Sequence, residues 1–188
     1  MNPIQVFGPW DEGYVLDKYM VSSEYIGEDA FGHPVFNTTY TEIGKLLHAM
    51  KYNGHIDTSE RIWKHCSSFL KRWIAGKNID IILPVPPTNQ RYFQPVFVFA
   101  EVLAQHLKIP YSSEILEKTS LEQAKNMPRE NKNLKGSIRQ LRPAKRPCNI
   151  LLVDDFFSTG QTAGECVSVL KQDPMIRRVF LFAIAKTK

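Results

Sequence analysis

The chain has 188 residues, of which 43% are hydrophobic and 23% are charged, with a formal net charge of +5. This length and composition provide enough apolar surface for one domain with its own core, which excludes a mainly disordered protein. No run approaches the roughly 20 apolar residues that cross a bilayer, and the first residues lack a signal-peptide pattern, so we expect a cytoplasmic protein without membrane contact.

The first part of the chain, residues 1–38, is rich in aromatic residues and turn signals. We expect short strands there, forming a small strand-rich N-terminal extension or lid. The next segment predicts a helix, because Thr39 and Glu42 have the spacing of a capping box and Asn53-Gly54 provides a stop. The apolar residues of this helix share one face: Ile43, Leu46, Leu47 and Met50.

The middle of the chain predicts two further helices and a strand. Apolar positions at helical spacing indicate helices at about residues 59–75 and 95–107. Between them, residues 79–86 predict a buried strand that ends abruptly in prolines. These prolines have an alternative explanation as a stiffened strand end without a binding role.

Residues 117–147 are polar, basic and poor in periodicity, which predicts a long flexible loop. They contain nine Lys or Arg and three acidic residues, so this segment carries +6 and the rest of the chain −1. Such a segment attracts polyanions, either the phosphates of a small molecule or nucleic acid. A solvated basic loop without a ligand is the alternative.

The last part of the chain predicts a strand at 149–153, a helix at 161–172 and a final strand at 179–185. Continuously apolar strands joined through a helix are typical of a parallel sheet covered on both faces. We therefore expect an α/β domain over residues 39–188.

The segment from Ile150 to Thr162 (ILLVDDFFSTGQT) carries the strongest functional signal. A buried strand ends in Asp154 and Asp155, and a short loop then leads into a helix, where ligands bind in open parallel sheets. Backbone N–H groups, hydroxyls and the helix N-terminus fit a phosphate monoester. The carboxylates fit a vicinal diol beside Mg²⁺, held indirectly through hydroxyls or water. The predicted phosphate-binding residues are Ser158, Thr159, Gly160, Gln161 and Thr162.

This segment closely resembles the phosphoribosyl pyrophosphate signature of type I phosphoribosyltransferases: four apolar residues, two acids, two further residues, then Ser/Thr-Thr-Gly-x-Thr. The resemblance implies a parallel sheet flanked by helices, phosphoribosyl pyrophosphate as substrate and Mg²⁺ as cofactor. A response-regulator receiver also has paired acids after a strand, but near the start of its domain, whereas only 33 residues follow Asp155 here. A helix cap without a ligand explains one acid, but not two acids and the loop.

A second element, Leu83-Pro84-Val85-Pro86-Pro87-Thr88, resembles the pyrophosphate-binding loop of one branch, the ComF-type (competence protein F) phosphoribosyltransferases. The pyrophosphate-binding residues that this resemblance implies are Val85, Pro86, Pro87 and Thr88, with Arg91 as a further cation. ComF-type chains usually begin with a four-cysteine zinc ribbon, which this chain lacks. The stretch 89–95 also departs from their Arg-x-Arg-Gly-Phe-Asn-Gln pattern.

A third element lies in the basic segment. Gln123, Arg129, Asn133 and Gly136 align with a ComF-type pattern of Gln followed by Arg-x-x-x-Asn-x-x-Gly-x-Phe, although Ile138 replaces the Phe. In the wider superfamily this region is a flexible hood that closes over the substrate. The resemblance implies that Arg129 adds a catalytic cation beside the diphosphate.

Together these resemblances imply an enzyme that transfers phosphoribosyl to an unidentified nucleophile with release of pyrophosphate. Asp154, Asp155 and Arg129 are its expected catalytic residues, and residues 1–38 are a candidate for the acceptor pocket. The alternative is a non-catalytic phosphoribosyl-fold protein that senses a ribose phosphate or serves DNA uptake through residues 117–147. A scaffold with a lapsed site and a homodimer both stay open.

Overall fold

The computed structural model describes residues 3–53, 57–87, 93–118 and 137–187. Thr88, Arg91, Gln123, Arg129, Asn133 and Gly136 lie outside these ranges. In the described residues the strands are β1 (Ile4–Gln5), β2 (Glu12–Lys18), β3 (Met20–Glu28), β4 (Pro34–Tyr40), β5 (Ile81–Pro84), β6 (Leu116–Lys118), β7 (Ile138–Gln140), β8 (Cys148–Phe157) and β9 (Ile176–Lys186). The helices are α1 (Glu42–Asn53), α2 (Asp57–Ile74), α3 (Pro95–Leu107) and α4 (Gln161–Leu170).

A five-stranded central sheet has the order β1-β2-β9-β8-β5. The β2–β9, β9–β8 and β8–β5 pairings are parallel, whereas β1 is antiparallel to β2. Side chains alternate across this sheet, so Leu151 and Val153 pack with α1, α2 and α3, while Ile150 and Leu152 pack with α4. The predicted α/β fold, a mostly parallel sheet with helices on both faces, is confirmed.

The predicted α1 is confirmed, but its predicted cap is wrong. Thr39 lies in β4, where it pairs with Ser22, and Thr41 caps the helix instead. The Thr41 hydroxyl accepts a hydrogen bond from the Gly44 N–H at 2.9 Å. The predicted apolar face of α1 is buried, with Ile43, Leu47 and Met50 fully inside the core.

Two segments are more regular than the sequence indicated. Strand β8 continues beyond the predicted residue 153 to Phe157. The paired acids therefore lie within the strand, where it still pairs with β9, and not after its end. Within the basic segment 117–147, β6 and β7 form an antiparallel two-stranded sheet, because Leu116–Lys118 meet Ile138–Gln140. Residues 117–118 and 138–140 of that segment are therefore strands and not loop.

The N-terminal residues contain the expected strands, but they divide between two parts of the molecule. β1 and β2 belong to the central sheet, since β2 pairs with β9 along its length. β3 and β4 form a separate antiparallel hairpin that contributes no residue to the two core clusters of the described chain. β1 and β2 therefore extend the central sheet, and the β3–β4 hairpin forms a sheet of its own. No helix in the described ranges combines the length and the apolar character that crossing a membrane requires.

Candidate active site

The candidate site lies where β5 and β8 end side by side. These strands are parallel and paired from Ile81↔Ile150 to Pro84↔Val153, so their carboxyl ends meet at one edge of the sheet. A cavity of about 220 Å³ opens there. Its walls are Val85 to Pro87 after β5, Asp154 to Phe156 in β8, Gln94 to Val96 at the start of α3, Thr162 in α4 and Lys51 in α1.

The two acids occupy different environments within this cavity. Asp154 Oδ1 accepts hydrogen bonds from the backbone N–H of Asp155 at 2.8 Å and of Phe156 at 3.5 Å. Burial raises the pKa of Asp154 to about 7, and the neighbouring Asp155 adds to this rise, while the two backbone donors and Lys51 oppose it. Asp154 is therefore partly protonated at neutral pH.

Asp155 forms an ion pair across the cavity. Its Oδ2 lies 2.9 Å from Lys51 Nζ, and the two side chains are only 21% and 18% exposed. Lys51 Nζ also lies 5.0 Å from the centroid of the Phe156 ring, within reach of a cation–π contact. The Asp155 carboxylate is thus held in a fixed place by a lysine that comes from another element.

The loop from β8 to α4 depends on a glycine. Gly160 has φ +77°, and a Cβ built there would lie 2.7 Å from Phe157 Cζ, so both the backbone angle and the space require glycine. Thr159 Oγ1 accepts a hydrogen bond from the Gln161 N–H at 3.3 Å, and Ser158 and Thr159 are exposed. The loop therefore presents hydroxyls to solvent directly before the N-terminus of α4.

The predicted phosphate-binding residues do not all reach the same space. Thr162 lines the cavity with the acids, whereas Gln161 lines a larger cavity of about 1100 Å³ between α4 and β7. The Gln161 side chain donates a hydrogen bond to Glu165 at 3.3 Å on the same helix. The Gln161 side chain thus lies at the larger cavity and not at the cavity of the two acids.

The opposite wall is formed by the loop after β5 and by α3. Val85 and Pro86 are buried, and the Val85 N–H donates to the Val153 carbonyl at 2.8 Å, which continues the β5–β8 pairing into the loop. Helix α3 begins beside it at Pro95, and its N-cap Gln94 makes no side-chain cap hydrogen bond. Because Gln94 to Val96 line the cavity, the N-terminus of α3 faces it. The positive end of the helix dipole lies there and favours the binding of an anion.

Sequence reasoning missed Lys51, Gln94 and Phe156 as residues of this site. Lys51 follows the buried Met50 in the last turn of α1, and a basic residue at that position is ordinary in any helix. Its proximity to Asp155 arises only when α1 packs on the sheet. Phe156 lies inside the signature segment, but at a position where the signature specifies no residue type.

A magnesium site can be tested on the donor set. Within the described ranges no three His, Cys, Asp or Glu side chains are grouped closely enough to hold a metal ion by themselves. The acid pair offers carboxylate oxygens, and Mg²⁺ is commonly held by one or two carboxylates together with water and substrate phosphates. The residues present fit an ion that arrives with a phosphorylated substrate.

Comparison with known proteins finds similar solved structures. No family model and no curated protein matches the chain. Among solved structures, the adenine phosphoribosyltransferase of Leishmania tarentolae is 11% identical, with a TM-score of 0.49 over 98% of this chain and 94% of that chain. The Saccharomyces cerevisiae adenine phosphoribosyltransferase is 14% identical, with a TM-score of 0.45 over 87% and 85%.

A third similar structure, the adenine phosphoribosyltransferase of Thermoanaerobacter pseudethanolicus, is 14% identical with a TM-score of 0.41, covering 87% of this chain and 95% of that chain. Identities and TM-scores this low carry no argument about activity. The function proposed below therefore rests on the residues and the geometry of this chain.

Proposed function

We propose that the protein binds phosphoribosyl pyrophosphate with Mg²⁺ and transfers its phosphoribosyl group to an acceptor nucleophile, with release of pyrophosphate. One observation carries this proposal: the cavity at the carboxyl edge of β5 and β8 joins Asp154, Asp155, Thr162 and the 85–87 loop in one space. Hydroxyl acceptors, a phosphate-binding helix start and a second anion-binding wall are the three parts that this substrate needs.

In this proposal each part of the substrate has its own wall. The loop from Ser158 to Thr162 and the N-terminus of α4 take the 5-phosphate. Asp155 accepts a ribose hydroxyl, and Asp154 can accept or donate one, since its pKa is raised to about 7. The backbone of residues 85–87 and the N-terminus of α3 receive the diphosphate.

The reaction breaks the bond from ribose C1 to the diphosphate oxygen, and the electron pair leaves with pyrophosphate. A lone pair of the acceptor forms the new bond to C1, and the acceptor releases a proton. Positive charge develops on the sugar ring, as in glycoside cleavage, and the Asp155 carboxylate stabilises it. Asp154 and Asp155 would hold Mg²⁺ through water or the ribose hydroxyls, and the ion supplies positive charge beside the diphosphate.

The acceptor pocket proposed for the N-terminal residues has support in a row of aromatic rings. Phe156 in the cavity wall lies edge to face with Tyr19, with ring centroids 5.2 Å apart. Tyr19 in turn meets Tyr40, at the base of the β3–β4 hairpin, at 5.1 Å. The hairpin therefore begins beside the cavity, where an acceptor that approaches ribose C1 would be held.

Calorimetric titration with phosphoribosyl pyrophosphate and Mg²⁺ tests the proposal. We expect binding by the wild-type protein and at least about tenfold weaker binding by Asp155→Asn, since a hydrogen bond to a charged group contributes about 1.5–3 kcal/mol. Asp173→Asn is the control. Asp173 accepts hydrogen bonds from the N–H groups of Ala144 and Met175, just before β9 begins and thus at the end of the sheet opposite the cavity.

The same protein is then assayed for pyrophosphate release with a panel of purines, pyrimidines and amines. Release that needs Mg²⁺ and disappears in Asp155→Asn supports a transferase. Binding without release for any acceptor would favour the alternative, a non-catalytic ribose-phosphate-binding protein. Failure of the wild-type protein to bind at millimolar concentration contradicts both functions.

A further inference from the structure

The side chain of Lys51 extends from α1 into the candidate site. Lys51 lies in the last turn of α1, and its Nζ reaches into the cavity to within 2.9 Å of Asp155 Oδ2. Among the described residues that line the cavity it is the one with a positively charged side chain. The other charged groups there are the two acids, so a ligand with several negative charges would face carboxylates unless a cation were close to it.

A lysine suits this position because its charge can move without moving the helix. The ammonium group is a compact charge with three donors on a flexible four-carbon stem, which adapts to phosphate oxygens in several directions. The wall formed by residues 85–87 belongs to the same cavity as Lys51 and Asp155. Rotation about the lysine side-chain bonds therefore suffices to shift the charge between neighbouring parts of one space.

We propose that Lys51 binds the diphosphate of phosphoribosyl pyrophosphate. This inference rests on the function proposed above. When the diphosphate enters, the ammonium group donates to its oxygens, and as the bond from C1 breaks it stabilises the negative charge that the departing pyrophosphate gains. Before the substrate binds, the same charge compensates Asp155, which would otherwise be a half-buried carboxylate beside a second acid.

The chain offers a matched control for this lysine. Lys77 Nζ pairs with Glu12 Oε2, the two side chains are 20% and 28% exposed, and the Nζ lies 5.1 Å from the Phe180 ring centroid. These values are close to those of Lys51 and Asp155. Lys77 precedes β5 and Glu12 begins β2, so this pair lies at the amino-terminal ends of the strands, whereas the cavity lies at their carboxyl ends. Lys51→Met and Lys77→Met thus remove comparable ion pairs from different places.

The experiment separates the two halves of the substrate. Ribose 5-phosphate and inorganic pyrophosphate, each with Mg²⁺, are titrated separately into the wild-type protein, Lys51→Met, Lys51→Arg and Lys77→Met. We expect Lys51→Met to bind pyrophosphate at least about tenfold more weakly, with ribose 5-phosphate affinity kept. Lys51→Arg recovers most of the pyrophosphate affinity, and Lys77→Met keeps both affinities.

Two results overturn the inference and leave the proposed function in place. Equal losses for ribose 5-phosphate and pyrophosphate in Lys51→Met mean that the lysine acts only by holding Asp155. Unchanged pyrophosphate affinity in Lys51→Met means that the diphosphate lies elsewhere. A wild-type protein that binds neither ligand contradicts the proposed function itself, and the role of Lys51 with it; circular dichroism of all four proteins verifies that each is folded.

Discussion

Asp154 combines a buried carboxyl with an acidic neighbour, and this has a consequence for stability. Burial raises its pKa to about 7, so the folded protein keeps a proton that the unfolded chain releases near its ordinary value of 3.8. The folded state therefore binds more protons between these two values, and the free energy of unfolding falls as pH rises through this interval. Above the folded-state pKa the contribution is lost.

Replacing Asp154 by Asn should remove this pH dependence, because the amide resembles the protonated acid and never ionises. We expect the stability of Asp154→Asn relative to the wild-type protein to rise from about pH 5 to about pH 8, by on the order of 2 kcal/mol. Urea unfolding at both pH values measures it. Parallel profiles for the two proteins would show that Asp154 ionises normally.

The pH interval avoids interference from other acids. Backbone N–H donors lower the pKa values of Asp29 and Asp173, so their contributions to stability are lost only under more acidic conditions. The difference between the wild-type protein and Asp154→Asn over this interval reports on Asp154, because every other titrating group is present in both proteins.

Gly160 allows a second test at the scale of a single residue. Gly160→Ala adds a Cβ 2.7 Å from Phe157 and 3.1 Å from Trp10, on a backbone with φ +77°. Gly76 has nearly the same angle, φ +74°, but nothing lies within 4 Å of its Cβ position. Both alanines incur a backbone cost of about 1–2 kcal/mol, and Gly160→Ala adds the steric clash.

We therefore expect Gly160→Ala to lower the free energy of unfolding by about 1 kcal/mol or more beyond Gly76→Ala, and to weaken ribose 5-phosphate binding, because the loop must shift. Chemical denaturation and calorimetry measure the two effects. Equal costs for the two alanines would show that the Phe157 contact relaxes without strain.

Residues of the site could be predicted from the sequence where chemistry follows the chain. The acid pair and the loop to α4 are contiguous, and local spacing is enough to associate them with a sugar phosphate. Lys51 could not be predicted in this way, because its partner Asp155 belongs to another element and the contact forms only through packing. The cap of α1 was predicted at Thr39 instead of Thr41, because Thr39 is the residue that has the capping-box spacing to Glu42.

Among the elements, the turn between β1 and β2 supports the loop that joins β8 to α4. Trp10 donates a hydrogen bond to the Val6 carbonyl at 2.9 Å, and its ring meets Phe157 edge to face at 5.8 Å. A Cβ at Gly8 would lie 2.3 Å from the indole ring and one at Gly13 2.5 Å, so the ring packs directly against both glycines and leaves no space for a side chain there. The loop before α4 thus rests on residues from the start of the chain.

We expect Trp10→Phe to weaken ribose 5-phosphate binding by about tenfold, because the smaller ring leaves space under the loop that it positions. Trp63→Phe is the control, since Trp63 is equally buried but stacks on His106 in the other core cluster. Both variants should lose about 1–3 kcal/mol of stability. Similar ribose 5-phosphate affinities in the two variants would remove Trp10 from any positioning role.

Elements could be predicted where their signal is local. The apolar faces of α1, α2 and α3 repeat at helical spacing, and β8 and β9 are continuous apolar runs, so these segments were identified. The position of β2 in the sheet could not be predicted, because its partner β9 lies at the far end of the chain. The sequence of a short strand does not indicate which strand it pairs with. The same reason applies to β6 and β7, which pair across about 20 intervening residues, so that the sequence predicts a loop there.

At the scale of the whole molecule, the β3–β4 hairpin stands apart from both cores. Its side chains include exposed apolar groups, with Ile26 63%, Phe36 53% and Phe31 85% exposed. Exposed apolar groups gathered on one element are typical of a surface that contacts a ligand or another protein. The base of the hairpin lies beside the cavity wall, because Tyr40 contacts Tyr19 and Tyr19 contacts Phe156. This row of contacts is the reason for the acceptor role proposed above.

Removing the hairpin tests whether substrate binding and acceptor binding are separate. Met20 and Tyr40 are paired across the two strands, so replacing residues 21–39 by Asn-Gly should close the chain with a two-residue turn. We expect a change in stability of less than about 1 kcal/mol, because the removed residues are at the surface. Phosphoribosyl pyrophosphate affinity should stay the same, since no removed residue lines the cavity in the described chain. Phosphoribosyl transfer to any acceptor, measured as pyrophosphate release, should disappear. Loss of phosphoribosyl pyrophosphate binding, or full transfer without the hairpin, would place the acceptor pocket elsewhere.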